Sequence, residues 1–191
     1  GNGNHGQLVD GLGNGLVWSP GEDALNFDGS NNLSRVVVST VGMSTTEGTI
    51  AFWANLAEPQ NRGDGRNGSG YFFGCDNGVK DRILLYMDNS NTELDVRIGG
   101  HSETNIITLG TLVWYHIALT WNRGSYVVYL NGIWMSAGTY DGLTSLPSTA
   151  DIGNNGGSSK QSFHGLLGDV RVYDKSISVP DIQELYEEIA D

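Results

Sequence analysis

Residues 113–138 read VWYHIALTWNRGSYVVYLNGIWMSAG, and no other stretch of the chain narrows the choice of fold as much. Through residues 113–121, Val113, Tyr115, Ile117, Leu119 and Trp121 share one face, and Trp114, His116, Ala118 and Thr120 share the other. Alternation with a period of two is the signature of a strand, and the first of these faces belongs in a core. Residues 122–125 turn the chain, residues 126–130 return, and Asn131-Gly132 turns it again before a third strand over 133–138. Asn-Gly is a strong hairpin signal because a type I′ turn needs positive φ at both central positions. The spacing therefore predicts a three-stranded antiparallel meander. Its return strand is apolar on both faces (Val127 and Tyr129; Tyr126, Val128 and Leu130). Such a strand sits centrally under cover on both sides, or its outer face lines a ligand groove.

Runs of the same kind recur at 7–9, 24–27, 33–38, 49–56, 71–75, 82–87, 94–98, 105–109, 150–153 and 165–173, separated by Asp, Asn and Gly. Residues 49–56 (TIAFWANL) are β-branched and aromatic, which suits burial on both faces. Residues 60–70 and 153–161 are glycine-rich and lack large apolar side chains, so they read as long exposed loops. One helix is expected, after residue 177. Ser178 and Asp181 form a capping-box pattern, Pro180 sits in the first turn, and Ile182, Leu185, Tyr186 and Ile189 recur at helical spacing. About a dozen short strands and one C-terminal helix predict an all-β, two-sheet antiparallel sandwich, a single domain over residues 1–191. Fixed-period repeats are absent, which argues against a propeller.

Composition removes several classes of function. The 28 glycines have no period of three, so the chain is not collagenous. One cysteine, Cys75, permits no internal disulfide, and its YFFGC setting suggests an inert buried thiol. A formal net charge of −12 opposes nucleic acid and anionic membrane as partners. It suits an extracellular or cell-surface protein. No apolar run approaches the ~20 residues of a membrane span. The chain opens on Gly1, and the expectation is a piece of a longer secreted or surface protein.

At this point an ordered set of segments becomes informative: GNGNHG (1–6), ALNFDGSNN (24–32), GTIAFWANL (48–56), WYHIALTW (114–121), VYLNG (128–132) and FHGLLGDVRVYDKSIS (163–178), closed by SVPDIQELY (178–186). Together they resemble the laminin-G-like, concanavalin A-like family of jelly-roll lectin modules. The resemblance implies two curved sheets packed face to face, with loops at the rims. It also implies kinship with non-catalytic modules appended to secreted glycoside hydrolases, lyases and adhesins. The loops at 60–70 and 153–161 depart from the family core, so the identity of a ligand does not transfer.

The resemblance further implies a structural calcium. Asp28 of FDG and Asp169 of GD stand where the family pattern places metal ligands, and Gly29 and Asn31 could add oxygens from the same turn. Read without the family, Asp169 is a carboxylate in an apolar strand that needs either a cation or a partner, and Arg171 shares its face.

Sugar rings stack on flat side chains, so Trp18, Tyr71, Trp114, Trp134 and Tyr140 are candidate contacts, with Tyr71 and Trp134 preferred. Arg82, Asn154 and Asn155 join Tyr71 and Trp134 as the ligand-binding set, and Arg62, Arg66 and Arg82 could meet an acidic sugar. Arg62-Gly63-Asp64 spells an integrin-type tripeptide of a length that arises easily by chance. The histidines lack zinc-motif spacing, and no serine lies in GxSxG. A glycosidase needs paired carboxylates on one strand face. Glu93 and Asp95 are the tidy i, i+2 pair, and Arg97 stands where a third acid would follow. Tyr115 and His116 point to opposite faces, which opposes lyase chemistry. The expectation is a non-catalytic carbohydrate-binding module. A polysaccharide-cleaving enzyme and a protein-binding adhesion domain are the alternatives.

Overall fold

A computed structural model describes residues 6–9, 16–29, 34–58, 68–88, 92–156 and 162–190. Its elements, in chain order, are β1 (Gln7–Val9), β2 (Leu16–Ser19), β3 (Ala24–Asp28), β4 (Arg35–Ser39) and β5 (Glu47–Leu56). There follow β6 (Gly70–Asp76), β7 (Arg82–Met87), β8 (Glu93–Ile98), β9 (His101–Thr108) and β10 (Trp114–Asn122). The chain ends with β11 (Ser125–Leu130), β12 (Ile133–Thr139), β13 (Thr149–Ile152), β14 (His164–Tyr173) and α1 (Val179–Ala190). Two seven-stranded antiparallel sheets face each other as a jelly-roll sandwich, in the orders β1-β4-β13-β6-β7-β8-β9 and β12-β11-β10-β5-β14-β3-β2.

The opening meander is β10–β11–β12. Asn131 (φ 50°) and Gly132 (φ 74°) both adopt the left-handed region that the type I′ signal requires. Arg123 (φ 45°) and Gly124 (φ 86°) do the same at the first turn, where the sequence gives no such signal. Ile117, Leu119, Trp121, Tyr126, Val128 and Leu130 enter the core between the sheets. The other face of the return strand is not a groove. Val127 and Tyr129 lie with Ala51 and Ala118 beneath Ile177, Ile182 and Leu185 of the C-terminal segment. The cover is α1, whose burial of Ile182 (0% exposed) and Leu185 (7%) contributes roughly 1.5–3 kcal/mol each. Its start is held reciprocally: Ser178 N donates to the Asp181 carboxylate (3.0 Å) and Asp181 N donates to Ser178 Oγ (3.4 Å).

Two features lock the sandwich. Trp121 is opposite Gly48 in the β10–β5 ladder, and a Cβ on Gly48 would lie 2.2 Å from the Trp121 ring. The indole therefore uses the space that a side chain would fill, and its Nε1 donates to the Ser44 carbonyl at 3.2 Å. Glu103 on β9 of the first sheet accepts hydrogen bonds from Tyr126 (2.5 Å) and Ser136 of the second. Facing edges of the two sheets are thereby stitched together.

Candidate functional site

The second sheet leaves part of its outer face uncovered beside α1. Trp53 stands on that face of β5, with His116 opposite it on β10 and Gly168 opposite it on β14. Gly168 has no side chain, so a trough opens next to the indole. The β14 ladder shifts register between Gly168 and Arg171, and Asp169 there has φ 45°. A bulge of this kind re-aims side chains. On one side Tyr186 of α1 stacks on Trp53, with centroids 5.6 Å apart and planes at 22°. On the other side, the turn between β2 and β3 brings Glu22 to Trp114, whose Nε1 donates to the carboxylate at 3.1 Å. Asn131 closes the near end. Its side-chain oxygen accepts from His116 N (2.9 Å) and its own N donates to the His116 carbonyl (2.8 Å).

Together these walls enclose a cavity of ≈ 760 Å³, which runs on to Trp18 at the sheet edge and to Val36 and Ile152 of the facing sheet. Ligand cavities of ~300–1,000 Å³ are the usual range for small molecules. Trp18 is 51% exposed and Trp114 is half-buried, so both offer ring surface. Glu22, Asp23 and Asp169 supply carboxylates to the lining. Asp169 is paired with Arg171 Nε at 2.9 Å, and Arg171 also reaches Glu188 of α1 at 2.7 Å. The hydrogen bond to Asp169 raises the guanidinium pKa further, so that cation is firmly committed. Behind the trough, Trp53 Nε1 and His116 Nδ1 are buried without a hydrogen-bond partner. Only Trp53 of these two lines the cavity, and an orphan in a cavity wall is costly unless something completes it.

Burial drives the His116 pKa down to about 4, with a smaller opposing influence from Asp169. The folded state thus prefers the neutral ring. Its stabilising contribution is complete above pH 6.5 and is lost as pH falls from there through about 4. Thermal midpoints are expected to drop over that window by the equivalent of up to about 3 kcal/mol. His116→Gln should flatten the slope there, and parallel slopes in the two proteins would discount the histidine.

The residues preferred on sequence grounds do not converge here. Tyr71 is 3% exposed and stacks on Tyr86 (4.9 Å, 13°), over which Arg97 lies at 4.9 Å. It occupies the outer face of the first sheet as a closed aromatic pair, not an open stacking platform. Arg82 shares that face, opposite Asp76, which accepts from Asn155 Nδ2 at 3.5 Å. Asn154 is fully buried and bonds Ser162 at 3.0 Å, a structural role. Gly74 lacks a Cβ because Asn154 O would lie 2.7 Å from it. Trp134 is 60% exposed, on β12, the edge strand of the second sheet opposite to β2. Tyr140 is buried at 7% exposure. Arg62-Gly63-Asp64, Arg66 and Asn31 lie outside the described residues.

The metal pair does not converge either. Asp28, followed by the Gly29 turn, is opposite His164, and Asp169 lies five residues further along β14. At ~3.3 Å per residue that places the two carboxylates on the order of 16 Å apart, too far to share one ion. Asp169 instead takes the Arg171 partner. Among the described residues, no group of three or more His, Cys, Asp or Glu side chains could hold a metal. Asp95 is buried and accepts from Asn105 N at 2.8 Å, and neither it nor Glu93 lines the cavity. Burial pushes the Cys75 thiol up to about 12, which leaves it inert.

Trp18 and Trp114 were among the sequence candidates, whereas Trp53, Tyr186, Glu22 and Asp23 were not. Trp53 sits in a run that reads as doubly buried, and Tyr186 in the helix stripe that reads as core. The signal that could have found the site is WSPGED at 18–23, a tryptophan beside a turn bearing two acids.

A family described as the concanavalin A-like lectin/glucanases superfamily (Laminin_G_3) matches residues 28–183. Domain 4 of AbnA, a GH43 extracellular arabinanase from Geobacillus stearothermophilus solved in complex with arabinotriose, is similar in fold. Its TM-score is 0.73 at 18% identity, over 95% of this chain and 87% of that one. The binding domain of Paraclostridial Mosquitocidal Protein 1 gives a TM-score of 0.74 at 16% identity, over 98% of this chain and 48% of that one. The receptor binding domain of botulinum neurotoxin C/D mosaic serotype gives 0.71 at 13% identity, over 97% and 46%. This chain therefore spans about half the length of the toxin domains. No curated protein matches it in sequence.

Proposed function

We propose that this chain, which belongs to the concanavalin A-like lectin/glucanases superfamily, is a non-catalytic carbohydrate-binding module whose ligand sits in the cleft between Trp114, Trp53 and the Glu22 turn. One observation carries the reading. The cavity combines indole faces, carboxylate acceptors and a buried, unpartnered indole N–H on Trp53. A sugar presents flat C–H faces to the first, and hydroxyls that both donate and accept to the others. The arabinotriose held by the GH43 domain of the same fold supports a carbohydrate as the ligand class. The module belongs outside the cell, as part of a larger chain.

Glycan-array binding that disappears in Trp18→Ala and Trp114→Ala supports the proposal, provided that a polysaccharide panel shows no product release. Release of products would make the chain an enzyme. Capture of a partner protein with no glycan bound would make it an adhesion domain.

We keep calcium as a proposal at one place, the Asp28 turn, where the Asp28 carboxylate and backbone carbonyls of the turn would hold a single ion without Asp169. A chelator is then expected to lower the thermal midpoint by about 5–10 °C. An unchanged melting curve in excess chelator, or the same response in Asp28→Asn, removes the ion from the account.

A further inference from the structure

We propose that the cleft takes glycans free of carboxylate and sulfate groups and rejects acidic ones; this rests on the carbohydrate reading of the same site. Among the described residues, the lining holds three carboxylates, Glu22, Asp23 and Asp169, and no lysine or arginine. The cation nearest to them by contact, Arg171, is already divided between Asp169 and Glu188. One of the three lining charges is thereby neutralised and two are left facing the ligand. The Trp114 N–H to Glu22 orients that carboxylate without cancelling its charge.

Acids alone do not define a site. The independent sign that something binds is Trp53, 8% exposed, lining the cavity with its Nε1 unpartnered. Its requirement is an acceptor that brings no negative charge with it. A hydroxyl meets that requirement: its oxygen takes the indole hydrogen while its own hydrogen goes to a carboxylate. A uronate or sulfate also offers acceptors, but it must sit beside two like charges in a partly desolvated trough. That repulsion is stronger there than in bulk water. The whole chain adds to it with a formal charge of −12, at distances that salt screens.

The test uses paired oligosaccharides: glucan, mannan and galactan chains, and the same chains oxidised at C6 to uronates. Binding is measured by calorimetry at low and at 0.5 M salt. The uronate of any bound pair is expected to bind about tenfold or more weakly than its neutral parent at low salt. The gap should narrow at high salt and in Glu22→Gln/Asp23→Asn. Both substitutions keep an acceptor, and Asn tolerates the φ of 50° at position 23. A melting curve confirms that the double variant folds. A uronate that binds as tightly as its parent overturns the inference; if Trp114→Ala still abolishes binding, the glycan reading stands. No binding by either half of the panel overturns both.

Discussion

Trp114→Ala is expected to weaken glycan binding roughly thirtyfold, a loss of about 2 kcal/mol of the kind seen when a central aromatic anchor is truncated. The thermal midpoint should hardly move. Trp114 is the first residue of β10, half-buried, and outside the core between the sheets. Removing it has two effects on the cleft and few elsewhere. The ring face is lost, and Glu22 loses the 3.1 Å donor that aims its carboxylate inward. Trp114→Phe separates the two, because it keeps a flat ring and gives up the N–H. An intermediate affinity is expected for it. Trp134→Ala is the matched control, since Trp134 is equally apolar, more exposed and on the far edge of the same sheet. If Trp134→Ala abolishes binding and Trp114→Ala does not, the site has been put in the wrong place.

Trp121→Ala should cost about 3–5 kcal/mol of stability, which calorimetric unfolding will register as a drop of roughly 10 °C or more. The side chain is 1% exposed, bonded to the Ser44 carbonyl, and seated on Gly48 across the ladder. No smaller residue refills that volume. The same geometry makes Gly48→Ala destabilising by overpacking, since its Cβ would come within 2.2 Å of the ring. The two losses should not add. Once the indole is gone, a methyl group at position 48 has room, so the double variant is expected to be less unstable than the sum. Strict additivity would refute the interlock.

Much of the fold was legible in the sequence because hydrophobic periodicity reports which side of a strand meets apolar surface. The alternation over 113–121 placed Ile117, Leu119 and Trp121 correctly, and Asn131-Gly132 marked a turn with both φ values positive. The apolar outer face of the return strand left two readings open, cover or groove. The structure decides for cover: Val127 and Tyr129 lie beneath the C-terminal segment, while the cleft opens elsewhere on the sheet, with Tyr186 of α1 as a wall against Trp53 and with Trp114 half-buried. Periodicity cannot report that boundary, because it depends on where a distant element, the helix that begins at Val179, docks. Tyr71 is closed off for a related reason. Its neighbour Tyr86 comes from the next strand, and only the β6–β7 register stacks the rings and closes them off. Of the expected metal pair, Asp28 is opposite His164 at one end of the β3–β14 ladder, and Asp169 lies beyond its other end, at the bulge. The resemblance implied that the two strands meet, and the residue pattern carries no measure of distance along them.

The Tyr186–Trp53 stack makes one wall of the cleft depend on the docking of α1. A wall of the cleft belongs to an element that carries no ladder hydrogen bonds and adheres through a narrow apolar stripe and the Arg171–Glu188 clasp. The strand pairings of both sheets are made without it, so loosening α1 would dismantle that wall and leave the two ladders intact. On the proposed carbohydrate reading, a change that loosens α1 is expected to weaken binding before it unfolds the sandwich.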